Sequence, residues 1–330
     1  MQNFSILDLS PICEGETASE AVRATAALAR SAENSGYHRF WLAEHHNAPG
    51  IASAATAVMI GHVAGATSTI RIGAGGIMLP NHSPLVIAEQ FGTLASLYPG
   101  RVDLGLGRAP GTDMATARAL RRHMETADNF PQDVLELLSY FGDPKPEDRV
   151  RAYPGVGTHV PIWILGSSLY GAQLAAQLGL PYAFASHFAP AMLEQALQIY
   201  RSQFQPSPYL DKPYVMIGTA VWAADSLAEA EFLRSSHMMA VANLRSGISH
   251  PLPRPVKDVE MLVSPRLQSV LADHLAFSAI GTKETLRTRF SQMIEMFEPD
   301  ELIVTGMIYD AGARIRSFEA VADVLKSLKD

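Results

Sequence analysis

Residues 101–118 read RVDLGLGRAPGTDMATAR. Val102, Leu104 and Leu106 alternate with Asp103, Gly105 and Gly107, the two-residue period of a strand, and Arg108 stands where that strand runs out into a loop. Pro110 and Gly111 break the run. Thr112 then offers a side-chain oxygen as N-cap, Asp113 an acid for the first turn, and residues 114–120 contain good helix formers, so Arg118 falls about two turns into a new helix. A strand-end arginine and a helix arginine can converge on one phosphate or carboxylate, because planar guanidinium forks hold such groups bidentately.

The same strand, loop, helix order repeats on both sides of this stretch. Upstream, strands are expected at 4–9, 39–43 and 70–79, with helices at 17–34, 51–66 and 84–97. The third strand, IRIGAGGIML, carries three glycines, which weaken a plain strand and suggest close approach of backbone or ligand. Downstream, strands are expected at 161–166, 182–186, 214–223 and 301–306, with helices at 169–178, 191–204, 226–242, 282–297 and 313–328. Residues 243–277 interrupt the rhythm with several prolines and a mixed polar composition, and read as an insertion or lid placed before the last helix–strand unit rather than as a second domain. Eight strands alternating with helices over 330 residues fit a single α/β domain, a (β/α)8 TIM barrel spanning 1–330. An open doubly wound sheet would carry a GxGxxG after its first strand, and none is present.

Composition excludes several function classes. The chain is 48% hydrophobic and 18% charged with a net charge of −7, so it has no basic footprint for nucleic acid or an anionic membrane surface. Its apolar runs are short and interrupted, so no membrane span is expected. Cys13 is its one cysteine, which excludes an intrachain disulfide and a cysteine metal cluster and fits a reducing, cytoplasmic setting. The amino-terminal residues lack the basic and long apolar regions of a signal peptide.

In a barrel of this kind the chemistry sits where strands end and helices begin. Strand two delivers Glu44, His45, His46 and Asn47; strand three Gly75, Gly76, Asn81 and His82; strand four Arg108; strand five Gly166, Ser167 and Ser168; strand six Ser186 and His187. Ser167 and Ser168 open a helix whose free amides form an anion site by donor count and dipole, and Arg108 lies on the neighbouring strand end. A metal is the competing use of Glu44, His45 and His46, but adjacent strand residues point to opposite faces and helical HExxH spacing is missing, so no metal is expected. A serine nucleophile is excluded for want of a GxSxG elbow.

These stretches resemble the bacterial luciferase-like flavin monooxygenases across nearly the whole chain. The resemblance runs through WLAEHH (41–46), IRIGAGGIMLPNHSP (70–84), YPGRVDLGLGRAPGTDMATARAL (98–120), ILGSSLYGAQLAAQLGL (164–180) and ELIVTGMIYD (301–310), in order and spacing. It implies FMN, used in its reduced form, with its phosphate held by Arg108, Arg118, Ser167, Ser168 and the amides near Gly166 and Tyr170. Gly75 and Gly76 match the place of a non-proline cis peptide beneath the flavin ring. His45 matches the histidine that assists chemistry at the flavin edge, while Asn81, His82 and His187 would line the substrate side. The implied reaction is a two-component monooxygenation: a separate NAD(P)H:flavin reductase supplies reduced FMN, which reacts with dioxygen to a flavin peroxide that oxygenates a small organic substrate. A homodimer is also implied. Gly107 stands where luciferase has a reactive cysteine, which argues against light emission and a long-chain aldehyde, and 243–277 differs in composition from the luciferase mobile loop. A deazaflavin-dependent hydride-transfer enzyme and a flavin-binding protein without turnover are the alternatives.

Overall fold

Parallel strands buried on both faces make the frame. The computed structural model describes residues 1, 3–109, 114–120 and 129–328. Its strands are β1 (Asn3–Asp8), β2 (Arg39–Leu42), β3 (Arg71–Met78), β4 (Val102–Gly107), β5 (Ile162–Gly166), β6 (Tyr182–Phe184), β7 (Val215–Ala223), β8 (Ser278–Gly281) and β9 (Glu301–Thr305). β1 to β7 pair in sequence order, β7 pairs β9, and β9 returns to β1, which closes an eight-stranded parallel barrel. The expected (β/α)8 barrel is therefore what the chain forms, with one addition. β8 pairs only with the outer half of β7, at Ala220 to Ala223, and lies outside the closed ring.

Side-chain alternation divides each strand between the barrel interior and the outer helix layer. Phe4 and Ile6 of β1 pack into the large outer core, whereas Leu7 joins Trp41, Trp163, Ala183, Met216 and Ile303 inside the ring. Beneath that apolar layer, at the amino ends of the strands, the interior is charged. Arg39 reaches Asp103 at 2.7 Å and Glu301 at 3.2 Å, and Arg71 reaches Asp103 at 2.5 Å. Ser5 and Tyr214 donate to Glu301, and the Trp41 indole donates to Asp103 at 3.2 Å. Burial pushes the Asp103 carboxyl up, but Arg39 and Arg71 outweigh it and hold it below the usual range.

The helices are α1 (Ala18–Asn34), α2 (Thr56–Gly65), α3 (Pro84–Leu97), α4 (Met114–Ala119), α5 (Phe130–Phe141), α6 (Leu169–Leu178), α7 (Leu193–Gln203), α8 (Leu227–Arg245), α9 (Val259–Leu262), α10 (Pro265–Leu275), α11 (Lys283–Phe297) and α12 (Ala311–Lys326). α1 opens with a capping box, Thr17 accepting from the Glu20 amide and Glu20 from the Thr17 amide. α2 starts later than expected, at Thr56, because Ser53 turns inward and donates to the Ala43 carbonyl at 2.5 Å. α5, unassigned from sequence, buries Phe130, Val134, Leu137 and Phe141 along one stripe. The N-cap expected at Thr112 lies outside the described residues. The irregular stretch expected at 243–277 is helical over half its length: α8 runs on to Arg245, and α9 and α10 pack on it through Met238, Val241, Ala242, Val259, Val263 and Leu271.

Candidate active site

Above the apolar layer, the carboxyl mouth of the barrel has a floor of glycine. The peptide bond between Gly75 and Gly76 is cis, the geometry that the resemblance implied. A Cβ on Gly76 would stand 2.6 Å from the Gly105 carbonyl oxygen, and one on Gly105 would stand 2.3 Å from that of Ala74. No side chain fits there, so β3 and β4 present bare backbone.

Beside this floor, Glu44 is the hub of the β2 end. It is buried, and it accepts from His46 Nε2 at 2.7 Å, His82 Nε2 at 2.9 Å and the Met78 amide at 3.0 Å. Asn81 Nδ2 stands at 3.5 Å from the same carboxylate. Burial works against the charge, but the hydrogen bonds of His82, His46 and Met78 leave the Glu44 carboxyl below its ordinary value. The expected separation of His45 from His46 is seen: His46 turns to Glu44, while His45 Nδ1 is buried without a partner and burial lowers the ring's pKa. The ligand atoms of Glu44, His46 and His82 lie within 4.8 Å of one another, near enough to share a cation, yet in the structure they satisfy one another by hydrogen bonding.

Two strands round the ring, past the end of β4, the exposed guanidinium of Arg108 lies 4.1 Å from the ring centre of Tyr170, in the first turn of α6. Ser168 is the N-cap of α6, yet its side chain makes no capping bond, so among the described residues the first-turn amides lack their usual cap. Gly166 ends β5 beside the first turn of α6, its Cβ position lying 3.7 Å from the Gly171 Cα, an ordinary contact distance. Arg108, Ser167, Ser168, Gly166 and Tyr170 thus share one rim. Arg118 is exposed on α4, a helix without a buried residue, and no contact joins it to Arg108 among the described residues.

Farther round the ring, past the end of β6, Ser186 donates to the Gly218 carbonyl at 2.6 Å and the His187 ring lies over Gly218, whose Cβ would meet His187 Nδ1 at 2.3 Å. Gly218 shares the parity of Met216, so His187 reaches into the barrel mouth. His237 of α8 and His274 of α10 continue from it, their rings stacked with centroids 5.6 Å apart, and His237 also meets Trp222 at 5.1 Å. Sequence reasoning did not single out His237 or His274. His237 sits mid-helix and His274 in the last turn of α10, neither at the carboxyl end of a barrel strand, and only the packing of α10 on α8 brings them together beside His187.

Comparison with known proteins gives a consistent result. The model of the luciferase-like monooxygenase family matches residues 2–317. A luciferase-like monooxygenase of Escherichia coli (strain K12) is 55% identical, covering 98% of this chain and 97% of that protein. N-acetyl-S-alkylcysteine monooxygenase of Bacillus subtilis (strain 168) is 31% identical, with 100% of both chains covered. The solved structure of apo-MsnO8 superposes with a TM-score of 0.87 at 31% identity, over 99% of each chain.

Proposed function

Because the chain belongs to the luciferase-like monooxygenase family, we propose that it is the oxygenase of a two-component system that uses reduced FMN and dioxygen to oxygenate a small organic substrate. The observation that carries this reading is the anion rim: an exposed arginine stacked on Tyr170 beside the uncapped amino end of α6. Arg108, Ser167, Ser168 and the α6 amides would hold the FMN phosphate, with Arg118 approaching from α4. The bare backbone of Gly75, Gly76 and Gly105 would lie under the flat ring, since a side chain there has no room.

Bound in its reduced form, FMN supplies the electrons with which dioxygen is activated. The work of the chain is then to orient, to exclude water and to place protons. His45 carries a buried ring nitrogen without a protein partner, and burial lowers the ring's pKa, so it can donate to or accept from a group at the flavin edge. The Glu44, His46 and His82 hub fixes the backbone that presents His45, and Asn81 and His82 face the substrate side with His187. The electrons would come from a separate NAD(P)H:flavin reductase. A homodimer is the assembly that this reading expects.

Anaerobic mixing with reduced FMN followed by rapid mixing with oxygenated buffer tests the reading. A species absorbing to the blue of oxidised FMN should persist for seconds or longer; immediate return of the oxidised spectrum, with and without candidate substrates, would point instead to deazaflavin hydride transfer or to flavin binding without turnover. Arg108→Ala should weaken FMN by about tenfold or more while leaving riboflavin within about twofold. Equal loss of both would sink the phosphate assignment.

A further inference from the structure

Four ring nitrogens at the mouth are buried and unpartnered: Nδ1 of His187, Nδ1 and Nε2 of His237, and Nδ1 of His274. Buried polar atoms gathered in such number call for partners, which a bound polar group can supply. One turn before His237, on the same face of α8, stands Arg234, whose Nε is likewise buried without an acceptor. Arg234 makes no ion pair among the described residues, although a half-buried guanidinium keeps its charge and ordinarily needs a carboxylate beside it.

The charges around the three rings share one sign. Burial lowers His187 to about 4, with His274 adding to it, and lowers His237 to about 3, helped by His274, His187 and Arg234. His274 is lowered by burial and by Arg245, against a hydrogen bond to the Phe188 backbone. Among the described residues none of the three rings forms an ion pair with a carboxylate. The protein has therefore gathered donors and positive charge around the His187 end of the mouth and left out the anion. Apolar surfaces flank the cluster, with Trp222 against His237 and Phe188 against His274.

We propose that Arg234, His187, His237 and His274 form the anion-recognising end of the substrate pocket and hold the carboxylate of an otherwise apolar substrate. This inference rests on the reading of the barrel mouth as a substrate site and adds the substrate class. Arg234 provides the fixed charge, and the imidazoles provide N–H donors whose tautomers adapt to the bound oxygens. The binding step needs no flavin, so it can be measured apart from oxygenation.

Octanoate and octanamide, nearly equal in shape, are titrated by calorimetry into the flavin-free protein at neutral pH, with inorganic phosphate as a competing anion. Octanoate should bind at least about tenfold more tightly than octanamide, and its binding should take up protons, read from the dependence of the heat on buffer. Arg234→Gln should reduce the preference to within about twofold, and Arg234→Lys should keep part of it. His237→Gln supplies a second variant should Arg234→Gln fail to fold, and should shrink both the preference and the proton uptake. Equal affinity for acid and amide, or an undiminished preference in the folded variants, would overturn the proposal. Displacement of octanoate by phosphate, with Arg234→Gln weakening FMN as much as octanoate, would also overturn it and assign the cluster to the cofactor phosphate. Carboxylate preference without any oxygenation would leave this inference standing and remove the monooxygenase reading.

Discussion

Glu44 shows how much one carboxylate can hold. It ties the end of β2 to the last residue of β3 through Met78 and to the following turn through His82, and it fixes His46 beside its neighbour His45. Glu44→Ala strands three half-buried donors, so chemical denaturation should register a loss of about 3 kcal/mol, and Glu44→Gln should lose less because an amide oxygen still accepts one of them. A loss within about 0.5 kcal/mol for Glu44→Ala would mean that the two histidines find water without cost. Its titration has a definite sign. A carboxyl held below its ordinary value stabilises the fold above pH 4.5, and that contribution fades as acid protonates it in the folded state. Glu33 works in the same direction at the other end of the barrel. Although some burial opposes its charge, the amides of Thr69, Ile70 and Ser68 hold it down to about 2.

Elements differ in how far the sequence announces them. The eight barrel strands were legible because each is a short apolar run bounded by glycine or proline and followed by a helical period, and all eight appear within a few residues of their expected places. β8 was not, since Ser278, Ala279, Ile280 and Gly281 carry no alternation and gain their partner only from the outer half of β7. The rims were legible for a related reason: Glu44, His45, Arg108, Ser167 and His187 all fall at strand ends, where topology fixes position. Arg234, His237 and His274 were not, because their meeting depends on how α8 and α10 cross, which no local pattern encodes. The charged interior floor is the other feature that only pairing reveals. Arg39, Arg71, Asp103 and Glu301 lie far apart in sequence and meet because each is the first or second residue of its strand, and the parallel ring brings those strand starts to one end. Removing one partner leaves buried charge uncompensated, so Asp103→Asn should cost about 3–5 kcal/mol in denaturant unfolding. A cost below about 1 kcal/mol would show that Arg39 and Arg71 are balanced by Glu301 alone.

For the molecule as a whole, these groups combine into one stability profile with a flat top. Below neutrality the unfolded chain takes up protons that the fold refuses. His187 at about 4 and His237 at about 3 stay neutral in the barrel while their unfolded counterparts charge near pH 6.5, and Glu44 and Glu33 extend the same imbalance below 4.5. The unfolded state binds more protons throughout that range, so stability is fully present above about pH 6.5 and falls steadily as pH drops toward 3. At the alkaline end the sign reverses. Burial pushes the Cys13 thiol up to about 12 and the Tyr140 and Tyr214 hydroxyls to about 12, with nearby acidic groups adding to each, so the unfolded chain loses those protons first and stability declines above about pH 9. Unfolding free energies measured from pH 3 to 11 should therefore form a plateau between about 7 and 9. The two buried histidines should account for about 4 kcal/mol of the acid limb between them, discounted for the partial exposure of their rings. His237→Phe removes one of these groups without emptying its space, and the limb between pH 6.5 and 4 should become shallower while the alkaline limb is unchanged. An acid limb of unaltered slope would locate the proton uptake elsewhere. Octanoate at saturating concentration should flatten the same portion of the curve in the native protein, because a carboxylate beside His187 and His237 lets the folded state accept the protons it otherwise excludes.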